Sequence, residues 1–171
     1  MQVEADGSLK FLFSAKFFPE AVNEELTHPK IQRLFWLQIR NGIVSDDIYC
    51  PGELCVLFAA QTMQALHGDF DAAAHGPGFI DPARELPPRV MNQHGLTAAQ
   101  WEDRIKNAWK NIKGTPKQQA IMDYLNIAQD LEQYGITYFE VTNKKGTQLW
   151  LGVHNLGMDV YEYHNKSVRV R

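Results

Sequence analysis

At residue 136 the hydrophobic period of this chain changes from that of a helix to that of a strand, and each side of the change carries its own punctuation. Upstream, Thr97-Ala98-Ala99-Gln100 is a capping box that opens a helix with Trp101, Ile105, Ala108, Trp109 and Ile112 on one face and Gly114 as its stop. Thr115-Pro116-Lys117-Gln118 combines an N-cap, a proline at the first helical position and a second capping box. The helix that follows places Ile121, Tyr124, Leu125, Ala128 and Leu131 on one face and ends at Gly135. Downstream, Ile136–Thr142, a turn at Asn143–Gly146 and Thr147–Val153 read as a hairpin, with further strands at Met158–His164 and Ser167–Arg171. Cap, face and stop agree at each step, so helices packed beside an antiparallel meander are required.

Two more helices precede these. Residues 30–41 put Ile31, Leu34, Phe35 and Gln38 or Ile39 on one face, with Trp36 and Leu37 widening it. Thr27 is the expected N-cap, Pro29 lies in the first turn, and Asn41-Gly42 is the expected stop. Pro51 opens the next helix, with Leu54, Cys55, Phe58, Thr62 and Leu66 in helical spacing and Gly68 at its end. Residues 69–95 read as a long irregular connection with a short helix near Pro87–His94. Segment 9–18, rich in aromatics, reads as one strand ended by Pro19. A lone strand needs a neighbour, and the closing meander needs a covering layer. The chain is therefore expected to start and stop partway through larger β units.

The 171 residues carry a net charge of −3 and a pI near 6.1, without the basic excess of a phosphate-tracking protein, so no nucleic-acid partner is expected. Charge is uneven: −1 over residues 1–22, −4 over 23–135 and +2 over 136–171. Two cysteines, Cys50 and Cys55, are too few for a disulfide framework and suit reduced thiols. No apolar run is long enough to span a bilayer, and the first residues lack the apolar core of a secretory signal. Phosphate loops, dinucleotide fingerprints, nucleophile elbows and paired histidine ligands are absent from the sequence, so no catalytic residue, metal or cofactor is expected. Asp46-Asp47 and Glu24-Glu25 lie at helix ends and loops, where acids are solvated or favour the helix dipole. Lys144 and Lys145, in the hairpin turn, are either solvated or a contact for anionic lipid or an acidic peptide, each worth about 1 kcal/mol near a membrane.

Long strings carry a resemblance. RLFWLQIRNGIVSDDIYCPGE (33–53), HGDFD (67–71), LPPRVMNQHGLTAAQWEDRI (86–105), DYLNIAQDLEQYGITYFEV (123–141) and TNKKGTQLWLGVHNLGMDVYE (142–162) resemble the FERM domain of the ezrin–radixin–moesin family, with merlin a close second. The resemblance runs from about Leu9 to Tyr163. It implies an α+β, mainly α, chain. Residues 1–22 would be the end of a ubiquitin-like first lobe, contributing one strand, and 23–135 a four-helix second lobe like acyl-CoA-binding protein. Residues 136–171 would be the opening strands of an antiparallel pleckstrin-homology-like (PH-like) third lobe, left incomplete.

Functionally the resemblance implies a non-enzymatic scaffold linking plasma-membrane proteins to the cortical actin cytoskeleton. Implied partners are the cytoplasmic tails of membrane proteins, the protein's own C-terminal tail or a partner helix, and a phosphoinositide surface, with actin reached indirectly. Implied localisation is cytoplasmic, peripheral at the inner face of the plasma membrane, in the cell cortex and cytoskeleton. A merlin-like signalling scaffold and an acyl-CoA carrier are the alternatives; the net −4 of residues 23–135 opposes the carrier, which would need a basic pocket. Ile48, Cys50 and Glu53 fit the [IL]-x-C-x-x-[DE] pattern associated in this family with S-nitrosylation of the cysteine. A helix N-terminus would favour the Cys50 thiolate, while Asp46, Asp47 and Glu53 oppose it. Departures from the family pattern are Gly52 in place of a proline, Pro29 within the first helix, and His154-Asn155 in a turn.

Overall fold

Capping chemistry sets the best-defined helix. In the computed structural model, which describes residues 2–3, 9–10, 13–93, 95–154 and 157–170, Thr97 Oγ1 accepts from the Gln100 amide at 3.3 Å and Gln100 Oε1 accepts from the Thr97 amide at 2.9 Å. The expectations that fall on Phe11, Leu12, His94, Asn155 and Arg171 lie outside the described residues. Seven helices are seen among the described residues: α1 (Val22–Glu25), α2 (Pro29–Val44), α3 (Gly52–His67), α4 (Pro82–Glu85), α5 (Pro88–Gln93), α6 (Ala98–Asn111) and α7 (Lys117–Ala128). α3 is the central rod, packed against α6 and α7, while α2 closes over α7. Trp36, Ile39, Ile43, Trp101, Ile105, Trp109, Tyr124 and Leu125 fill the space between them. Tyr124 meets Phe58 and Trp36 with ring centroids 4.3 and 6.2 Å apart.

Several local expectations are corrected. The α2 N-cap is His28, whose Nδ1 accepts from the Lys30 amide at 3.2 Å, so Pro29 starts the helix and Thr27 stands outside it. α2 does not stop at Asn41-Gly42 but runs to Val44. Gly42 is needed there for close approach: a Cβ would lie 3.0 Å from Ile48 Cδ1. The buried face of α2 is Phe35, Trp36, Ile39 and Ile43, whereas Ile31 and Leu34 are 54% and 62% exposed. The aromatic residues take the core because they remove most area from water. Gln38 is diverted to pair with Ala15, accepting from its amide at 2.7 Å and donating to its carbonyl at 3.0 Å. α7 is capped by Pro116 without a side-chain hydrogen bond, so Thr115 is not its N-cap; the Thr115 carbonyl instead accepts from Gln64 Nε2 at 2.6 Å. Leu131 lies beyond the end of α7, and Leu66 is exposed.

The 69–95 connection is tied down by a buried ion pair on α6. Glu102 accepts from the Gly78 and Ile80 amides at 2.8 and 3.1 Å and from Lys106 Nζ at 2.8 Å, and Lys106 also donates to the Gly76 carbonyl at 2.6 Å. Arg40 of α2 reaches both carboxylate oxygens of Glu85 on α4, at 2.9 and 2.8 Å. On the far side, Gln64 Nε2 donates to Asp69 Oδ1 at 2.8 Å while its Oε1 accepts from Trp109 Nε1 at 2.9 Å.

Near the N-terminus the strand predicted over 9–18 is confined, among the described residues, to β2 (Leu9–Lys10), paired antiparallel with β1 (Gln2–Val3); residues 13–18 are irregular, so Pro19 does not end a strand, and two strands stand where one was expected. The neighbour of β2 is therefore upstream. The C-terminal meander has the predicted order: β3 (Thr137–Thr142), β4 (Gln148–His154), β5 (Gly157–Glu162) and β6 (Asn165–Arg169), all antiparallel neighbours. Gly152 at the centre of β4 lies under the Tyr161 ring and against Ile136, where a Cβ would clash at 2.6 and 2.8 Å.

Candidate functional site

The chain leaves α7 through Leu131–Gly135 and turns directly into β3, so bundle and sheet meet at one corner. Gly135 makes the turn with φ of +72°, and a side chain there would press on Phe18 at 3.2 Å. Phe18, Phe35 and Tyr134 pack edge to face, with centroids 5.2, 5.1 and 6.4 Å apart, and Tyr134 Oη donates to the Pro19 carbonyl at 3.2 Å. Burial, with Glu25 nearby, pushes the Tyr134 phenol well up, so it stays a neutral donor.

This corner frames an apolar groove of about 590 Å³. Phe17, Phe18, Tyr134, Gly135, Phe139 and Val153 line it, with Lys16 among them. Phe17 is 95% exposed and Phe139 50%. Beside it lies a second hollow of about 320 Å³ that shares Tyr134 and His154 and carries Glu20, Glu132 and Arg169. His154 Nε2 lies 2.9 Å from Asp159 Oδ2, which also meets Arg169 at 3.4 Å. An apolar trough running into a charged hollow matches the two faces of an amphipathic segment. Among the described residues no three His, Cys, Asp or Glu side chains converge as a metal site, and no helix is long and apolar enough to cross a membrane.

The residues singled out from sequence lie elsewhere, on two separate elements. Lys144 and Lys145 are exposed in the β3–β4 turn, at the end of the hairpin opposite the groove. Asn143 builds that turn: its Oδ1 accepts from the Lys145 and Thr147 amides, both at 2.9 Å. Ile48 and Cys50 are buried in the α2–α3 connection, and Glu53 is exposed in the first turn of α3. Arg89 of α5 straps this connection, donating to the Cys50 carbonyl at 2.8 Å and to Asp46 at 3.2 Å, with its guanidinium 4.4 Å from the Tyr49 ring centroid. Gln133 Oε1 accepts from the Tyr49 amide at 2.8 Å. The Cys50 thiol donates to the Pro51 carbonyl and the Cys55 thiol to the Cys50 carbonyl, both at 3.5 Å; the neighbouring Cys55 thiol and burial push Cys50 up, while the Cys50 thiol and Arg89 draw Cys55 down.

Sequence reasoning missed the groove. Its signal was the aromatic pair Phe17-Phe18 and the Tyr134-Gly135 step, which in sequence read as the end of a strand and the end of a helix. Only their meeting across more than a hundred residues makes a site.

The FERM central domain family matches residues 21–139. The chain is 50% identical over 160 residues to proteins named moesin/ezrin/radixin homolog 1 from Culex quinquefasciatus and Aedes aegypti, which covers 94% of the chain in both cases. It spans only 28% and 27% of those relatives' own lengths. The crystal structure of the FERM and C-terminal domain complex of Drosophila Merlin superposes with a TM-score of 0.89 at 37% identity, covering 99% of this chain and 57% of that one.

Proposed function

The chain belongs to the FERM central-domain family, and on that premise we propose that it forms part of a scaffold joining plasma-membrane proteins to the cortical actin cytoskeleton by protein contacts. It works by docking, without catalysis, at the inner face of the plasma membrane. We read residues 23–135 as a second, helical lobe, 1–22 as the end of a first lobe and 136–171 as the start of a third. The 50% identity to moesin/ezrin/radixin homologs supports this reading over a merlin-like signalling scaffold.

The observation that carries the proposal is the apolar groove at the bundle–sheet corner, continuous with a charged hollow. Its occupant is a tail segment or partner helix with an apolar face, by analogy with the C-terminal domain seated on the FERM domain of Merlin. The test is calorimetric titration of the chain with the C-terminal domain of a moesin/ezrin/radixin homolog. Phe139→Asp and Phe17→Ser, both at exposed positions, should each weaken binding at least about tenfold while leaving the circular dichroism spectrum unchanged. No binding, or equal binding by all three proteins, rejects the groove as the docking site.

Two finer proposals concern the other residues. Lys144 and Lys145 contact anionic headgroups, so the double Lys→Glu variant should lose sedimentation with phosphoinositide vesicles and keep tail binding. Nitrosylation of Cys50, within Ile48–Glu53, proceeds through lifting of the Arg89-strapped connection, because the thiol is buried. A nitrosothiol donor that modifies Cys55, or neither thiol, rejects it.

A further inference from the structure

The helix that begins at Gly52 is fastened at its start by two sulfurs. Pro51 is its N-cap, so Cys50 and Cys55 occupy the two positions, one before the cap and four after it, whose side chains close over the first turn. In most helices this pair is aliphatic. Here both members are thiols, 0% and 1% exposed. Cys55 Sγ also lies 3.5 Å from the Cys50 carbonyl oxygen, the acceptor that Arg89 holds at 2.8 Å.

We propose that Cys50 and Cys55 are a redox-convertible pair that closes to an intramolecular disulfide on exposure to a peroxide, locking the start of α3. The Cys55 sulfur, 3.5 Å from the carbonyl oxygen of Cys50, stands beside its partner residue before any oxidant arrives, so the second step is intramolecular.

One thiol sulfur attacks a peroxide oxygen: an S–O bond forms, the O–O bond breaks, and the departing hydroxide takes that thiol's proton as water. The other sulfur then attacks the sulfenic sulfur: the S–S bond forms, the S–O bond breaks, and hydroxide leaves with the second thiol's proton as another water. The two sulfurs lose two electrons and the peroxide gains them. Burial makes the first step depend on opening of the 46–50 connection, so the pair responds to sustained rather than brief exposure. Once closed, the bond joins the strap residue's acceptor directly to α3.

The test is treatment of the reduced chain with hydrogen peroxide, alkylation under denaturing conditions, and digestion after glutamate. Cleavage after Glu53 separates the two cysteines, so a disulfide leaves peptides 26–53 and 54–85 joined. The expected result is a monomer about 2 Da lighter, with those peptides cross-linked and released by dithiothreitol. Cys55→Ala, checked by circular dichroism for its fold, should show no cross-link and should yield Cys50 alkylated or oxygenated. The proposal is overturned if both thiols are recovered free under treatment that oxidises the urea-unfolded chain. It is also overturned if sulfinic acids or intermolecular dimers form in place of the cross-link.

Discussion

Replacing Glu102 by Gln keeps the shape of the side chain and removes its charge, which isolates what the buried ion pair does for the 69–95 connection. The carboxylate accepts from two loop amides and from Lys106. An amide oxygen can serve some of these donors, but its NH2 group must face another donor, leaving at least one buried N–H or the Lys106 ammonium short of a partner. Orphaning a buried donor costs about 1–3 kcal/mol, and stranding one member of a buried pair about 3–5 kcal/mol. Lys106 retains the Gly76 carbonyl, which places the expected loss near the lower value, about 3 kcal/mol.

Proton linkage gives an independent figure. Burial opposes ionisation of Glu102, yet the hydrogen bonds from Lys106, Gly78 and Ile80 outweigh it and hold the carboxyl at about 2, against an ordinary 4.5. That depression corresponds to about 3 kcal/mol without screening, and about 2 kcal/mol once solvent at the loop edge is allowed for. Because the folded pKa lies below the unfolded one, this stability is complete above about pH 5 and is lost as pH falls from about 4.5 to about 2. In urea at pH 7, with a slope of about 2 kcal/mol per M, Glu102→Gln should lower the unfolding midpoint by about 1.5 M. The gap between wild type and variant should then shrink steadily towards pH 2. A midpoint shift under about 0.5 M at pH 7, or a gap that is constant across that acid range, would refute the reasoning.

Three other outcomes follow from the packing. Gln64→Leu removes one of two acceptors of Trp109 Nε1, which keeps the Gly68 carbonyl, and the donor to Asp69 and Thr115, and should cost about 1–2 kcal/mol in thermal melts. Gly152→Ala drives a methyl into Tyr161 and Ile136, and should cost the sheet about 1–3 kcal/mol; hydrogen exchange should quicken in 137–169 and stay unchanged in the helices. In the unmodified chain, amide protection should be strong across 30–135 and weak across 136–171, since Gly152 and Tyr161 are the only strand residues buried among those whose burial is described. Equal protection of both regions would contradict that.

How much of this was legible beforehand differs from helix to helix. The start of α6 and its tryptophan face were readable because their signals, Thr97, Gln100, Trp101, Ile105 and Trp109, are local, whereas Ile112 is the C-cap and the burial of Glu102 and Lys106 was not legible. α2 was readable as a helix but not in its facing. Ile31, Leu34 and Phe35 satisfy helical periodicity as well as Phe35, Trp36, Ile39 and Ile43 do, and only contact with α7 chose between them. Gly42 illustrates the same limit: locally it is a stop, yet the approach of Ile48 makes it a spacer inside the helix. Cys50 and Cys55 were visible as spacing, but the burial that governs their chemistry depends on Arg89, thirty-nine residues further along.

The amino-acid order by itself determined the number of main helices, the switch to strands at 136, the meander order and the family resemblance, because caps, turns and periodicity act over a few residues. Tertiary structure alone decided which face of α2 is buried, where Glu102 and Lys106 find partners, and that Phe17, Tyr134 and Phe139 share one groove. Those outcomes are settled by competition for a common interior among segments far apart in the chain, and no local pattern encodes which of them wins.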